Sequence, residues 1–426
     1  MEIIRPAFAD RPTTILSYGN SFPEAAARHI RNTFQASRVY VICSRSLAQK
    51  TGILGELNRV FRALSISIVG QRTGMRPHTL WSEVLEIAIE ARECEADLFL
   101  TVGGGTLTDG AKAAVLALAN NARTIDELST VFQTVNKDAN DGLATASSYI
   151  PIISVPTTLS AAEYSDIAGA TNDSTHYKHV FPAPSPSLVI LDPQLAASTT
   201  PASIWLSTGI RAVDHCVETF CALKGKTESS DLLALKALGN LVPGLLRCAR
   251  DGHGKDLDAR LSCQLGSVDA MAACSSKGVE MGASHGIGHQ VLHSISSLPS
   301  DQTGNDVTAR PSGCGPWRYK LYPFARGVHG ANNEQYTRLR DVLLNLTGVG
   351  DVLRSRGLRE RDSDVGDLLD AIIRELGLPR SLSEVGVSRD QLDDLAANSL
   401  HDRWCATNPV PLVDKKQVLE ILNMVI

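Results

Sequence analysis

The feature that most limits what this chain can fold into is an alternation that runs as far as Asp192 and then stops. Six short apolar runs read as strands: TTILSYG, RVYVICS, ISIVG, ADLFLTVGGG, YIPIISVPTT and SLVILDP. Between them lie SFPEAAARHIRNTF, TLWSEVLEIAIEAREC and TDGAKAAVLALAN, which carry helical spacing. Parallel strands need a helix-length crossover, so this order predicts a doubly wound parallel sheet. From about residue 194 apolar spacings of three and four take over, in ASIWLSTGIRAVDHCVETFCAL, DLLALKALGNLVPGLLRCARD and LSCQLGSVDAMAACSSKG. VGDLLDAIIRELG and DQLDDLAANSLHD continue them. The expected division is an α/β domain over 1–193 and an all-α domain over 194–426, which suits a 426-residue chain too long for one simple core. Residues 296–327 have no period and are dense in Gly, Pro and Ser; a loop of that length inside a domain points to function or mobility.

Charge narrows the partners. A net charge of −5 with mixed signs and no basic run gives no electrostatic reason to expect nucleic acid or an acidic membrane. Nine cysteines without a CxxC pair suit a reducing compartment. The start lacks a signal-peptide pattern, and no apolar run is read as approaching the roughly 18 residues of a membrane helix. A cytoplasmic protein acting on a small molecule is expected. Ile3, Ile4 and Phe8, read as exposed apolar residues, are compatible with a homodimer.

Three local patterns carry chemistry. In VGGGTLTDGAK, Gly103, Gly104 and Gly105 separate a strand from a helix. Such a turn lets the backbone approach a pyrophosphate, whose charge the first helical amides face. Thr106 is expected to cap that helix and Asp109 to lie in its first turn. A tight turn without ligand remains the alternative, because GxGxxG is absent. VPTTLSAAEYSD offers the hydroxyls of Thr157, Thr158 and Ser160 at another strand's carboxyl end, or a hydroxyl-rich turn. In GASHGIGHQVLHSIS, His285, His289 and His293 fall four apart, stacking along one helical face. That row is a metal site, the remains of one, or a polar face.

Taken in order, GGGTLTDGAK, PTTLSAAE, HCVE, SHGIGH and NPVPL resemble motifs of the iron-containing (group III) alcohol dehydrogenases. GIRAVDHCVE and PTTLSAAE look closest to the maleylacetate reductase-like branch. The resemblance implies a dehydroquinate synthase-like fold, with an N-terminal dinucleotide-binding domain, a C-terminal helical domain and the active site in the cleft between them. It also implies roles for matching positions. Gly103, Gly104, Gly105 and Thr106 would hold the pyrophosphate of NADPH or NADH, and Asp109 would sit near the nicotinamide. Thr157 and Thr158 would contact the adenosine or pyrophosphate portion, and Lys178 the ribose. After the second strand Ser44 stands where NAD-preferring relatives carry an acid, with Arg45 next, so NADPH should be used at least as well as NADH.

Metal-dependent relatives hold Fe(II) or Zn(II) with an aspartate, a histidine four residues on, and two further histidines. Here His215 and His285 match two of the ligands, but Arg211 stands in the aspartate's place, and no further histidine appears until His329. Asp214 is not expected to substitute, since adjacent helical residues diverge by about 100°. The set is incomplete, and a guanidinium beside it repels a dication. Arg211 is expected to replace the metal, polarising a carbonyl or clamping a carboxylate. His289 matches the family's proton relay. The expected activity is hydride transfer from NAD(P)H to a carbonyl, enone or keto acid without a tightly bound metal, with Arg211, His215 and His285 around the substrate. The rivals are a metal-dependent alcohol dehydrogenase using a relocated ligand, a lyase or cyclase, and a non-catalytic nucleotide-binding descendant.

Overall fold

The computed structural model describes residues 1–11, 13–76, 79–140, 149–296 and 333–426. It forms two compact units, Met1–Thr199 and Thr200–Ile426. The first unit contains β1 (Ile3–Pro6), β2 (Ile15–Tyr18), α1 (Phe22–Asn32), β3 (Arg38–Cys43), α2 (Arg45–Lys50), α3 (Ile53–Ala63), β4 (Ser67–Thr73) and α4 (Trp81–Glu93). It continues through β5 (Leu98–Gly103), α5 (Gly105–Ala119), α6 (Ile125–Asn140), β6 (Ile152–Pro156), β7 (Ile167–Thr171), β8 (Lys178–Pro182), β9 (Leu188–Leu191) and α7 (Pro193–Thr199).

The main sheet has the order β1-β2-β9-β6-β5-β3-β4. All six expected strands are present and mutually parallel, and only β1 runs antiparallel, against β2. Alternation along β3 shows why both faces are covered. Val39, Val41 and Cys43 join a core with Phe22 and Ile30 of α1 and Phe61 of α3. Tyr40 and Ile42 face the other way, toward Trp81 and Ile87 of α4, Ala113 and Leu116 of α5, and Phe132 of α6. Two-sided burial makes these strands continuous apolar runs, which is what made them readable.

Other elements depart from the expectation. β1 spans only four residues and ends in proline, too short to show alternation. β7 and β8 form a separate antiparallel pair, anchored by Phe181, whose ring stacks on Phe132 at 3.8 Å between centroids. Ile3 and Ile4 are exposed as expected, but Phe8 is buried, its ring 6.4 Å from that of Tyr164. The boundary falls one helix later than Pro193, because Leu195 of α7 belongs to the α/β core.

The second unit contains α8 (Ala202–Cys221), α9 (Glu228–Arg250), α10 (Leu257–Cys274), α11 (Ala283–Ser296), α12 (Asn333–Asn345), α13 (Val349–Ser355), α14 (Val365–Glu375), α15 (Leu392–Ser399), α16 (Arg403–Thr407) and α17 (Lys415–Asn423). No strand occurs among its described residues. By length and composition α9 could cross a membrane, contrary to the expectation that no run would. Half of its apolar window is buried within the protein, where it packs on α8 and α10, as a core helix does.

Asp192 ties the end of β9 to two helices. Its carboxylate accepts from the amide of Phe22 at 3.0 Å and from that of Leu195 at 2.9 Å, capping α1, whose own Ser21 makes no cap, and α7. Asp192→Ala is expected to cost about 2–3 kcal/mol and Asp192→Asn about half of that, read by urea unfolding. Equal stability of all three proteins would show that the caps contribute nothing.

Candidate active site

The glycine turn and the hydroxyl loop meet. β5 passes directly into α5, with Gly103 at φ +153, a conformation that favours glycine. A Cβ on Gly105 would lie 2.7 Å from Ser160 Oγ and 3.0 Å from Ala162 Cβ, so the second loop rests on this backbone. The Thr157 amide donates to the Gly103 carbonyl at 2.9 Å, and Thr158 Oγ1 lies 3.1 Å from Ser160 Oγ. The outcome is a bare helix N-terminus ringed by hydroxyls, able to receive phosphate oxygens. Two local expectations need correction. The N-cap is Gly104, which offers no side chain, so Thr106 lies inside the helix with an exposed side chain. Asp109 is the fifth helical residue and lies beyond the first turn.

Ser44 stands beside this turn, and Arg45 follows it against Gly74. Ser44 Cβ is 3.1 Å from where a Cβ on Gly103 would be, and its hydroxyl accepts from the Leu47 amide to cap α2. Arg45 opens α2, exposed, and its Nε lies 3.3 Å from the equivalent point on Gly74. Lys178 begins β8, opposite Thr171, and its side chain crosses Gly169.

Lys112 and Glu163 had no assigned role from sequence reasoning, although both lie in the quoted motifs. The Lys112 ammonium is fully buried and donates to the carbonyls of Ala162 at 2.6 Å, Ser165 at 2.7 Å and Ile167 at 3.0 Å, and to Ser165 Oγ at 3.1 Å. It thereby fixes the loop that rests on Gly105. Glu163 is also fully buried, and neither carboxylate oxygen has a hydrogen-bond partner. Burial pushes its pKa up to about 7 against the attraction of Lys112.

In the helical unit three histidine rings form a row. Those of His215 and His285 are 5.4 Å apart, and those of His285 and His289 4.5 Å, edge to face. His289 Nδ1 lies 2.8 Å from Asp402 Oδ2. Burial raises the Asp402 pKa, but its hydrogen bonds from His289 and the Trp404 amide outweigh this and hold it below the ordinary range. Arg211 is half-buried on α8 and makes no side-chain hydrogen bond or ion pair among the described residues. Asn408 of NPVPL accepts from the Ala283 amide at 3.0 Å, fixing the start of α11. His329 lies outside the described residues, as do residues 297–332 generally and the side chain of His293.

The expectation about Asp214 was too strict. Asp214 Oδ1 accepts from Ser284 Oγ at 2.6 Å while His215 also approaches α11, so residues about 100° apart both reach one neighbouring helix. Glu218, one turn on, accepts from the His285 amide at 3.1 Å. Asp214, Glu218 and His285 bring potential ligand atoms within 4.8 Å of one another. The family's own ligand set does not fit here, because Arg211 occupies the carboxylate position. This different set has the mixed oxygen and nitrogen donors that suit a divalent ion. Glu218 was legible in DHCVE as a carboxylate four residues after Asp214.

A glycine turn opening a helix on a doubly wound sheet, and a row of histidines on a helical unit, are features that sequence and structure comparisons place in an oxidoreductase family. The pattern of iron-containing alcohol dehydrogenases matches residues 15–193, and that of the C-terminal region of Fe-containing alcohol dehydrogenases matches residues 321–426. Dehydrogenase FUM7 of Gibberella moniliformis is 35% identical over 435 residues, covering 96% of this chain and 95% of that one. The chain belongs to the iron-containing alcohol dehydrogenase family. Its fold is similar to that of maleylacetate reductase from Agrobacterium tumefaciens (TM-score 0.70, 20% identity, 100% and 97% of the two chains covered). It is also similar to sulfoacetaldehyde reductase from Bifidobacterium kashiwanohense in complex with NAD+ (TM-score 0.73, 19% identity, 98% of each covered).

Glu163 generates a prediction. A carboxyl whose folded pKa is raised binds protons more tightly when folded. Its stabilising contribution is therefore present below the unfolded pKa, near 4.5, and is lost as pH rises through about 7. Glu163→Gln should leave stability at pH 4 nearly unchanged and raise it at pH 8 by up to about 3 kcal/mol. A variant less stable than the parent at pH 8 would mean that the carboxylate is required in its charged form.

Proposed function

We propose that this oxidoreductase uses NADPH, at least as well as NADH, to reduce a carbonyl or a conjugated enone or keto acid without a tightly bound metal. The observation that carries the reading is Arg211, an uncommitted guanidinium one helical turn from His215, where the family's metal-dependent members carry a carboxylate. A fixed cation there repels a dication and can receive the negative charge that develops on a substrate oxygen. When bound, the nicotinamide would supply the hydride to the acceptor carbon. His289 supplies the proton, its imidazolium stabilised by the low-pKa Asp402 carboxylate. Arg211, His215 and His285 orient the acceptor. Ser44, beside Gly103, offers no negative charge to a 2′-phosphate, and the exposed guanidinium of Arg45, next in sequence, supports NADPH. A homodimer, consistent with Ile3 and Ile4 exposed on edge strand β1, and a cytoplasmic location complete the proposal.

A second reading, a metal-dependent alcohol dehydrogenase, is favoured by the grouping of Asp214, Glu218 and His285. An ion held by those three residues would polarise the substrate oxygen as a Lewis acid.

Three results test these readings. Chelator-treated protein should oxidise NADPH in step with reduction of a keto acid or enone. Arg45→Ala should lower kcat/KM for NADPH about tenfold and leave NADH within about twofold; a wild-type preference of tenfold or more for NADH would overturn the cofactor assignment. Cobalt(II) titration followed by visible absorption should show no stoichiometric site. One equivalent bound, and lost in Glu218→Gln, would establish the second reading instead.

A further inference from the structure

The helix that carries His285 and His289 is entered through GASHGIGH, in which Gly282 and Gly286 fall four apart and so share one face. That face lies along residues 402–408, which include α16. A Cβ on Gly282 would lie 2.8 Å from Asn408 Oδ1. One on Gly286 would lie 2.9 Å from Cys405 Sγ, 3.3 Å from the Cys405 amide nitrogen and 3.5 Å from Asp402 Cβ. Neither glycine has a left-handed backbone, so these positions require close approach and not an unusual φ.

The two segments run in opposite directions and are joined at three levels. At the start of α11 the Thr407 hydroxyl donates to the Met281 carbonyl at 2.6 Å, and Asn408 Oδ1 accepts from the Ala283 amide at 3.0 Å. The Asn408 side chain is itself held, its Nδ2 donating to the Val410 carbonyl at 2.8 Å. One turn on, the buried Cys405 fills the space that Gly286 leaves. A turn beyond that, Asp402 Oδ2 lies 2.8 Å from His289 Nδ1, while Oδ1 accepts from the Trp404 amide at 3.0 Å. The Cys405 amide donates to the Asp402 carbonyl at 3.1 Å, so a shift of Cys405 carries Asp402 with it.

We propose that the seam of Gly282 and Gly286 positions the proton donor: it sets the separation of α11 from residues 402–408 at which Asp402 takes the Nδ1–H of His289, leaving Nε2 as the atom that gives up the proton. Gly286, Thr407 and Asn408 are then positioning residues for a reaction in which they touch neither substrate nor cofactor. The inference rests on the reading of His289 as the donor and adds which of its nitrogens acts and what aims it.

The hydrogen-bond chemistry gives the assignment its direction. An ionised carboxylate only accepts, so the nitrogen facing Asp402 keeps its hydrogen in both the charged and the neutral ring. When the imidazolium gives its proton to the substrate oxygen, that proton leaves from Nε2, and the ring is left as the Nδ1–H tautomer. Glycine weakens a helix interior relative to alanine, and at Gly286 the return is room for Cys405 at the distance that brings Asp402 to the ring.

The test uses the whole chain, labelled with 15N-histidine and studied by imidazole NMR above neutral pH, with His289→Asn to assign the signals. Wild-type His289 should be the Nδ1–H tautomer, and Gly286→Ala should lose that preference. The same variant should lower kcat for keto acid or enone reduction about tenfold, with KM for NADPH within about twofold. Adding Cys405→Ala to Gly286→Ala, which removes the obstructing sulfur, should restore both tautomer and rate. Should Gly286→Ala not fold, Thr407→Val should act in the same sense and Thr407→Ser should not. An unchanged tautomer and rate in Gly286→Ala, or losses that Cys405→Ala does not relieve, would overturn the seam. A wild-type rate in His289→Asn, or a parent that reduces no keto acid or enone, would instead remove the proposed proton donor or reaction. The tautomer needs no substrate and then decides the seam alone, its retention in Gly286→Ala counting against it and its loss in favour.

Discussion

The α/β unit depends on a close passage of two backbones, held by one buried charge. The loop after β6 can lie on the turn after β5 only because Gly105 has no side chain, and it stays there because Lys112 draws three carbonyls and a hydroxyl around its ammonium. An ammonium in that position costs free energy unless its donors are satisfied, and here four acceptors surround it. The same passage puts the hydroxyls of Thr158 and Ser160 beside the N-terminus of α5. Packing and the proposed phosphate site therefore share one set of residues. Glu163, buried next to Lys112, is the strained member of that set, lying where folding favours its neutral form.

In the helical unit, α8 divides its duties by face. Residues 211, 214, 215 and 218 are grouped toward one side, where Asp214 and Glu218 hold the first residues of α11 and His215 meets His285. Trp205 belongs to the other side, against Arg260 of α10. A helix buried along almost its whole length can carry polar groups on both faces only if each finds a partner. Toward α11 the partners are a hydroxyl and an amide. Toward α10 the contact is between the Trp205 ring and the Arg260 guanidinium that lies over it.

Much of this was legible in the sequence, for definite reasons. The six parallel strands are buried on both faces and so appear as unbroken apolar runs. The glycine turn and the histidine row carry residue types whose spacing limits what they can do. What escaped depended on tertiary placement. The short β1 and the β7–β8 pair lack a period. Phe8, apolar near a chain end, is covered by a ring from a distant loop. Asp214 looked misdirected when adjacent positions were treated as belonging to separate faces, and Ser284 shows that a neighbouring helix spans the difference. Lys112 and Glu163 stood inside quoted motifs, yet full burial of both, which gives them their importance, has no signature in a chain read residue by residue.

A glycine turn that receives a dinucleotide must be open above the start of α5, and Gly104 is the position at which that opening can be filled. Gly104 has φ −90, and the nearest atom to an added Cβ is Thr158 Cγ2 at 3.4 Å, so a Cβ is accommodated there while the rest of a side chain would extend over the start of α5, where a pyrophosphate would approach. The measurement is titration of wild type and Gly104→Val with NADPH, followed by nicotinamide fluorescence, with thermal unfolding of both proteins. Saturable binding by wild type, weakened at least about tenfold in a variant that still unfolds cooperatively and loses no more than the roughly 1 kcal/mol an apolar N-cap costs, is the predicted result. No binding by wild type, or equal binding by the two, would contradict the account and leave the glycines as a turn alone.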